Sequence, residues 1–358
     1  MSKTVAQALV SIQSPSLLQG VRAVLAEEGV PHTEMGGDSD NGLLLCSIVD
    51  EPSVACPADL PIIRFWRSPR SVPSRQRKIN PFDQKNVVAW VSTRPILDCD
   101  ALRHSVRHLL SGRFVTLTNV LQRNAQILAA KETRSASGGL HLDRLRRFFE
   151  PLNIQEHVME SLEVALGELF TNAAYNAAVD SQGQYIHATT SRCTEVESEK
   201  PFAIRFGMDK VYAAVAVSDA YGSFRTARLI ERMHHCFSPA GATYEDKQGG
   251  AGLGLFMVLQ NASHLVINIK AGHFTKVIFL RRHAQTHREF ARRSPSLTVC
   301  AVDGERARRH DRPPVCWRAA LDRPDTPEAT AWMLQPRGHF FVWTGQWIFF
   351  LQWEKRCG

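Results

Sequence analysis

The chain has 358 residues, of which 44% are hydrophobic and 22% charged, an ordinary composition for a soluble globular protein with room for two cores. Its net charge of +8 is concentrated from Arg281 onward, where 14 Lys and Arg stand against 8 Asp and Glu, so the bulk charge does not mark the chain as a nucleic-acid binder. Eight scattered cysteines without a CxxC pair argue against a zinc cluster or a disulfide scaffold and for reduced thiols in the cytoplasm. The most apolar stretch, His339–Trp353, falls short of the ~18 to 20 residues that a membrane span requires, and no secretory apolar region follows Met1.

Residues 1–112 alternate apolar runs with helix-like stretches. Val5–Ile12, Gly42–Val49, Leu60–Trp66 and Asn86–Ser92 read as strands, and Leu17–Glu28 and Cys99–Leu110 as helices with apolar residues three and four apart. That alternation predicts a small parallel α/β layer. Its order resembles a receiver domain of two-component signalling, but the chemistry does not follow. Ser11-Ile12-Gln13-Ser14 stands where the family holds Mg²⁺ with acidic residues, and Cys46-Ser47 stands at the phosphoacceptor position, with Asp50 out of register. Thr93-Arg94-Pro95 replaces the family's lysine and proline. The expectation is a degenerate receiver-like layer.

Next, residues 113–140 read as a helix (Gly112–Lys131) and a flexible break at Thr133–Gly139. A compact domain follows over 141–282. Residues 283–358 form a basic tail rich in Pro and Trp that is expected to be poorly ordered.

Three motifs in the third segment carry chemistry. Glu168-Leu-Phe-Thr-Asn172-Ala-Ala-Tyr-Asn176 lies on a helical stretch whose apolar face is Leu162, Leu166, Leu169, Phe170, Ala173 and Ala177. Glu168, Asn172 and Asn176 share one stripe. An amide oxygen there suits a hard cation that also takes phosphate oxygens, and a carboxylate one turn earlier can orient or deprotonate a nucleophile. The second motif is an apolar strand ending at Asp219, in Ala213-Ala-Val-Ala-Val-Ser-Asp219-Ala-Tyr-Gly222. A carboxylate at such a strand end can accept the exocyclic amine of adenine, and Gly222 lets the backbone pass close beneath the base. The third, Gly249-Gly-Ala-Gly252-Leu-Gly254, opens a helix and offers backbone N–H groups to an anion. It is neither a dinucleotide fingerprint nor a P-loop. Taken singly, the motifs have plain structural explanations: a solvated helix face, a turn after a strand, and a hinge.

Their order in the chain resembles the histidine-kinase-like (GHKL) ATPases, most closely the anti-sigma-factor-type serine kinases and stand-alone ATP-binding regulators. The resemblance implies an α/β fold of the α+β sandwich kind, a mixed sheet with helices on one face. It also implies ATP and Mg²⁺ as cofactors. Glu168 would be the base, Asn172 the Mg²⁺ ligand with Asn176 beside it, and Asp219 the adenine reader. Gly222 would lie beneath the base, Gly250, Gly252 and Gly254 would form the phosphate loop, and Thr275 would match the family's threonine near the base. Tyr221 and Ser223 stand where the family pattern Asp-x-Gly-x-Gly carries glycines. The segment from Phe224 to Gln248 would form the lid. His104, His108 and His141 lack the context of a phosphoacceptor and read as helical surface residues.

Two functions remain open on this reading. One is a serine/threonine kinase acting on a regulatory protein partner, sigma or anti-anti-sigma-like, with a homodimer among the expected assemblies. The other is an ATP-responsive interaction module without transfer chemistry. A nucleic-acid role for the basic tail ranks below both.

Overall fold

The computed structural model describes residues 6–34, 43–49, 60–66, 86–93, 97–237, 254–302, 339–343 and 348–352. Its first half contains β1 (Ala6–Ser11), α1 (Pro15–Glu27), β2 (His32–Glu34), β3 (Leu43–Val49), β4 (Ile62–Trp66), β5 (Val87–Ser92) and α2 (Cys99–Ser111). Each helix follows from its residues. Proline opens α1, and its buried Leu17, Val21, Val24 and Leu25 recur at helical spacing. Asp98 caps α2 by accepting from the Ala101 N–H, and Gly112 ends it in the left-handed region. These strands are parallel, in the order β2-β1-β3-β4-β5, which is a doubly wound order.

The second half runs through α3 (Leu117–Val120), β6 (Gln126–Arg134), α4 (Gly138–Phe149), α5 (Glu156–Tyr175), β7 (Glu197–Met208), β8 (Tyr212–Asp219), α6 (Thr226–Phe237), α7 (Gly254–Asn261), β9 (His264–Lys270), β10 (Phe274–Arg282), α8 (His287–Arg292) and β11 (Ser296–Val302). Strand β11 pairs antiparallel with β5 and parallel with β9, and β9, β10, β8, β7 and β6 continue antiparallel. The result is one mixed sheet of eleven strands. A separate hairpin pairs β12 (His339–Trp343) with β13 (Ile348–Gln352). No helix among the described residues is long and apolar enough to cross a membrane.

Helices α1 and α2 cover one face of the first five strands, packing on Ala8, Val10, Ile48, Ile63, Phe65, Ala89 and Val91. The opposite face presents Val49, Ile62, Trp66 and Trp90 to the main core, which also holds α4, α5, α6 and α7. On the reverse side of the second half, Val115, Leu117, Val120 and Leu121 cover Ala214, Ala216, Val266 and Ile278.

Two expectations are corrected. The stretch expected as a helix, Gly112–Lys131, holds as α-helix only the four residues of α3, followed by the nine-residue strand β6 along the sheet edge. Gln, Ala, Lys and Glu favour helix intrinsically, and an edge strand exposed on both faces shows no alternation, so pairing with β7 outweighs local preference. The tail also begins later than expected, because 287–302 supply α8 and β11, which pairs with β9 along its whole length. The remainder of that tail, outside the hairpin, lies beyond the described residues.

A polar cluster sits where the halves meet. Arg282 Nη2 donates to Asp98 Oδ1 (3.4 Å) and Asp100 Oδ2 (3.1 Å), and Ser296 Oγ donates to Asp98 Oδ2 (2.8 Å). His104 stacks on His264 at 5.9 Å, and His264 Nε2 lies 3.0 Å from Thr298 Oγ1. Contrary to the surface reading of the helical histidines, His104 and His141 are buried.

Burial pushes the His264 pKa down to about 4 and that of His104 in the same direction. The unfolded imidazoles take up protons near pH 6.5, so the stabilisation is complete above that pH and is lost as pH falls toward 4, by at most about 1.4 kcal/mol per pH unit per histidine. Urea midpoints are therefore expected to drop between about pH 7 and pH 5, and His264→Gln to flatten that dependence; an unchanged slope would contradict the neutral, buried assignment.

Candidate functional site

Helix α5 organises the site. Leu162, Ala165, Leu166, Leu169, Phe170 and Ala173 bury its inner face, while Glu168 and Asn172 are only half-buried. The helix ends at Tyr175, so Asn176 is its C-terminal cap, and its amide N–H donates to the Asn172 carbonyl (3.0 Å). Its side chain reaches back along the expected stripe, with Asn176 Nδ2 donating to Asn172 Oδ1 at 2.8 Å.

Glu168 meets the start of α7. A Cβ built on Gly254 would lie 1.9 Å from Glu168 Oε2, so the carboxyl group occupies the space that any side chain at 254 would need. The first and third motifs thus touch, and a side chain at 254 would force the Glu168 carboxylate to swing aside. Gly250 and Gly252 lie outside the described residues.

Asp219 closes β8. Its Oδ1 accepts from the backbone N–H groups of Tyr221 (2.9 Å), Gly222 (3.0 Å) and Thr275 (3.4 Å). Burial raises the carboxyl pKa, and these hydrogen bonds oppose the rise. Thr275 faces Asp219 in register across β8 and β10, and its hydroxyl is buried without a partner in hydrogen-bonding geometry. The pair was legible in sequence only as two separate residues; the register makes it a unit.

The turn after Asp219 differs from the expectation. Gly222 has φ +61°, and a Cβ there would lie 2.2 Å from the Lys270 carbonyl oxygen. Its glycine is required by the β9–β10 turn pressed against it. Tyr221 is buried with Ala177 and Ala178; its hydroxyl lies 3.0 Å from Ser198 Oγ, and Lys200 Nζ sits 4.9 Å from its ring centre. Ser223 Oγ donates to the Ala177 carbonyl (2.8 Å). The two residues standing at family glycine positions therefore tie the turn to the end of α5. The expected lid begins with α6, and the part beyond Phe237 lies outside the described residues.

Sequence reasoning missed Arg192, between α5 and β7. Its Nη2 lies 3.4 Å from Asn176 Oδ1, and its guanidinium carbon 5.1 Å from the Tyr175 ring centre. No spacing rule points to it, because the contact is made by a long loop. Among the described residues, no group of three or more His, Cys, Asp or Glu could hold a metal ion. A hard divalent cation takes oxygen ligands, and Asn172 Oδ1, half-buried with one lone pair engaged by Asn176, is of the type that could supply one.

In comparison with known proteins, no family model matches the chain and no curated protein matches it.

Gly222→Ala should destabilise by more than about 2 kcal/mol, since it combines a left-handed backbone with a backbone clash; a thermal melt within error of the parent would overturn the assigned packing. Gly254→Ala should cost less than that, because the Glu168 carboxylate is the flexible end of a half-buried side chain and can move, and Glu168→Ala should relieve what cost remains. Strict additivity of the two substitutions in unfolding free energy would show that Glu168 does not occupy the space beside residue 254.

Proposed function

We propose that the chain is an ATP-binding regulatory protein whose residues 141–282 form a histidine-kinase-like ATPase domain, and that it acts as a serine/threonine kinase of the anti-sigma type on a regulatory protein partner. The observation that carries this reading is the convergence around the last turns of α5. Glu168 lies against Gly254, and the Asp219 turn is fastened to Ala177. Motifs about 50 and 85 residues downstream of Glu168 are thereby gathered beside one helix. The in-register Asp219–Thr275 pair adds a carboxylate and a buried hydroxyl suited to an adenine edge. The strand order of the first half supports the receiver-like reading of residues 1–112.

In this reading Asp219 accepts the adenine amine, and Thr275 presents its hydroxyl beside it. Asn172 offers its oxygen to Mg²⁺, which would neutralise charge on the triphosphate. Glu168 would orient the hydroxyl of the partner protein and take its proton as that oxygen bonds the γ-phosphorus and ADP leaves. Its position at the start of α7 keeps that carboxylate next to the stretch where phosphate would lie.

A second reading is favoured by Tyr221: an ATP-responsive module without transfer. The ring fills the crease against Ala177 and Ala178, in a turn where the resembled family has no side chain. Such a site would bind nucleotide less tightly and would change partner affinity without chemistry.

Calorimetry of ATP with Mg²⁺ on the full chain tests the common core of both. Asp219→Ala and Asn172→Ala should each weaken binding by at least about tenfold, the loss expected for a hydrogen bond to a charged group. Absence of any nucleotide affinity in the wild type would overturn the proposal. Phosphorylation of a partner that disappears in Glu168→Ala while ATP binding persists would assign the kinase; no turnover in the wild type would leave the module.

A further inference from the structure

Arg192 belongs to the loop between α5 and β7 yet is held at both ends by α5. The buried Tyr175 donates its hydroxyl hydrogen to the carbonyl oxygens of Arg192 (3.2 Å) and Thr194 (2.9 Å), which fixes the backbone. The guanidinium then lies over the Tyr175 ring, 5.1 Å from its centre, with Nη1 3.5 Å from the Thr171 carbonyl oxygen and Nη2 3.4 Å from Asn176 Oδ1. A cation beside the last carbonyls of a helix is favourable in itself.

The consequence lies in the polarity of the chain of bonds. Arginine can only donate, so the atom that Asn176 turns toward it must be Oδ1. Asn176 then has only its NH₂ to give to Asn172, and Asn172 must answer with Oδ1, 2.8 Å away. An asparagine amide has two orientations that differ by an exchange of O and N. One offers oxygen at a given point; the other offers an N–H donor, which a cation cannot use.

We propose that Arg192 is a positioning residue for the metal-binding amide, locking Asn172 through Asn176 in the orientation that presents its oxygen. This inference rests on the reading of Asn172 as a Mg²⁺ ligand at a nucleotide site. In this inference Arg192 acts through Asn176 rather than as a ligand. Its role is the one that outer hydrogen-bond partners play at metal sites generally, where they fix ligand orientation and tune affinity.

The test is the Mg²⁺ coupling of ATP binding, taken as the ratio of ATP dissociation constants in excess EDTA and in excess Mg²⁺, measured by calorimetry on the full chain. In Arg192→Ala the coupling should fall about tenfold, the lower end of the effect of losing an outer-shell partner, while adenosine affinity stays unchanged. Asn176→Ala should produce the same loss, and the double variant no more than either alone. Arg192→Lys, which also only donates, should restore part of the coupling. A merely structural arginine would instead lower the thermal midpoint and adenosine affinity with the coupling intact. Wild-type coupling in Arg192→Ala, with Mg²⁺–ATP binding present in the parent, overturns the relay and leaves the nucleotide site standing. A loss in Arg192→Ala without one in Asn176→Ala also overturns it, since Arg192 would then act by another route. A parent chain that binds no Mg²⁺–ATP removes the underlying reading and the relay with it.

Discussion

Every strand inside a sheet must find partners for both rows of its backbone N–H and C=O groups, and in this chain that requirement falls on β11. Without it, β5 and β9 would each present an open edge, a hazard for aggregation. With it, Leu297 and Thr298 pair with Trp90 and Ala89 on one side, while all seven residues of the strand pair with β9 on the other. The seam is reinforced by directional contacts: Trp66 Nε1 donates to the Pro295 carbonyl oxygen at 2.6 Å, and the Ser92 amide donates to Ser296 Oγ at 3.0 Å. It follows that the core continues from Trp66 and Trp90 to Leu265 and Val299 without a break. The polar cluster of Asp98, Asp100 and Arg282 lies at the same seam: Asp98 is buried with partners on both halves, while Arg282 and Asp100 stay partly exposed.

The site inherits this rigidity unevenly. Asp219 is fixed by three amide donors and an in-register neighbour on β10, which is the kind of preorganisation that binding a base edge demands. Asn172 is held by a single exposed amide partner, so its orientation depends on what lies beyond that partner. Tyr221 stands between the two. It stabilises the turn through Ser198 and by packing, but it also occupies volume that the family pattern leaves to glycine. Under the proposed reading, kinase and module would differ physically in one respect: whether the triphosphate end of a bound nucleotide could be held accurately with Tyr221 filling part of the base end.

Much of this was legible in the sequence because periodicity reports burial. The strands β1, β3, β4 and β5 and the helices α1 and α2 stand within a few residues of their expected limits, and every apolar position read along α5 is buried. Glu168, Asn172, Asp219 and Thr275 were visible as residue types in chemically meaningful places. What escaped were tertiary facts. Strand β6 is written in helix-forming residues and is a strand only because β7 pairs with it. Arg192 acquires a meaning only when Tyr175 draws its loop back over α5. The histidines at 104 and 141 lie on helices that are otherwise polar enough to suggest the surface, and their burial comes from neighbours distant in sequence, with His264 and Phe170 in ring contact with them.

The packing of α6 shows how the two halves could bear on one another. Its Leu229, Met233 and Phe237 enter the main core, and Phe237 meets Trp66 of β4 at 5.3 Å on one side and Phe256 of α7 at 5.3 Å on the other. Phe237 thus links β4 to Phe256, two residues from Gly254 and its contact with Glu168, in an interior with little empty volume. An aromatic chain of this kind is a mechanical route and no more. It becomes regulation only if α6 has two arrangements whose nucleotide affinities differ. Its position supplies the geometric half of that condition: the first helix of the expected lid is wedged between the first half of the sheet and the helix that opens on the glycine cluster.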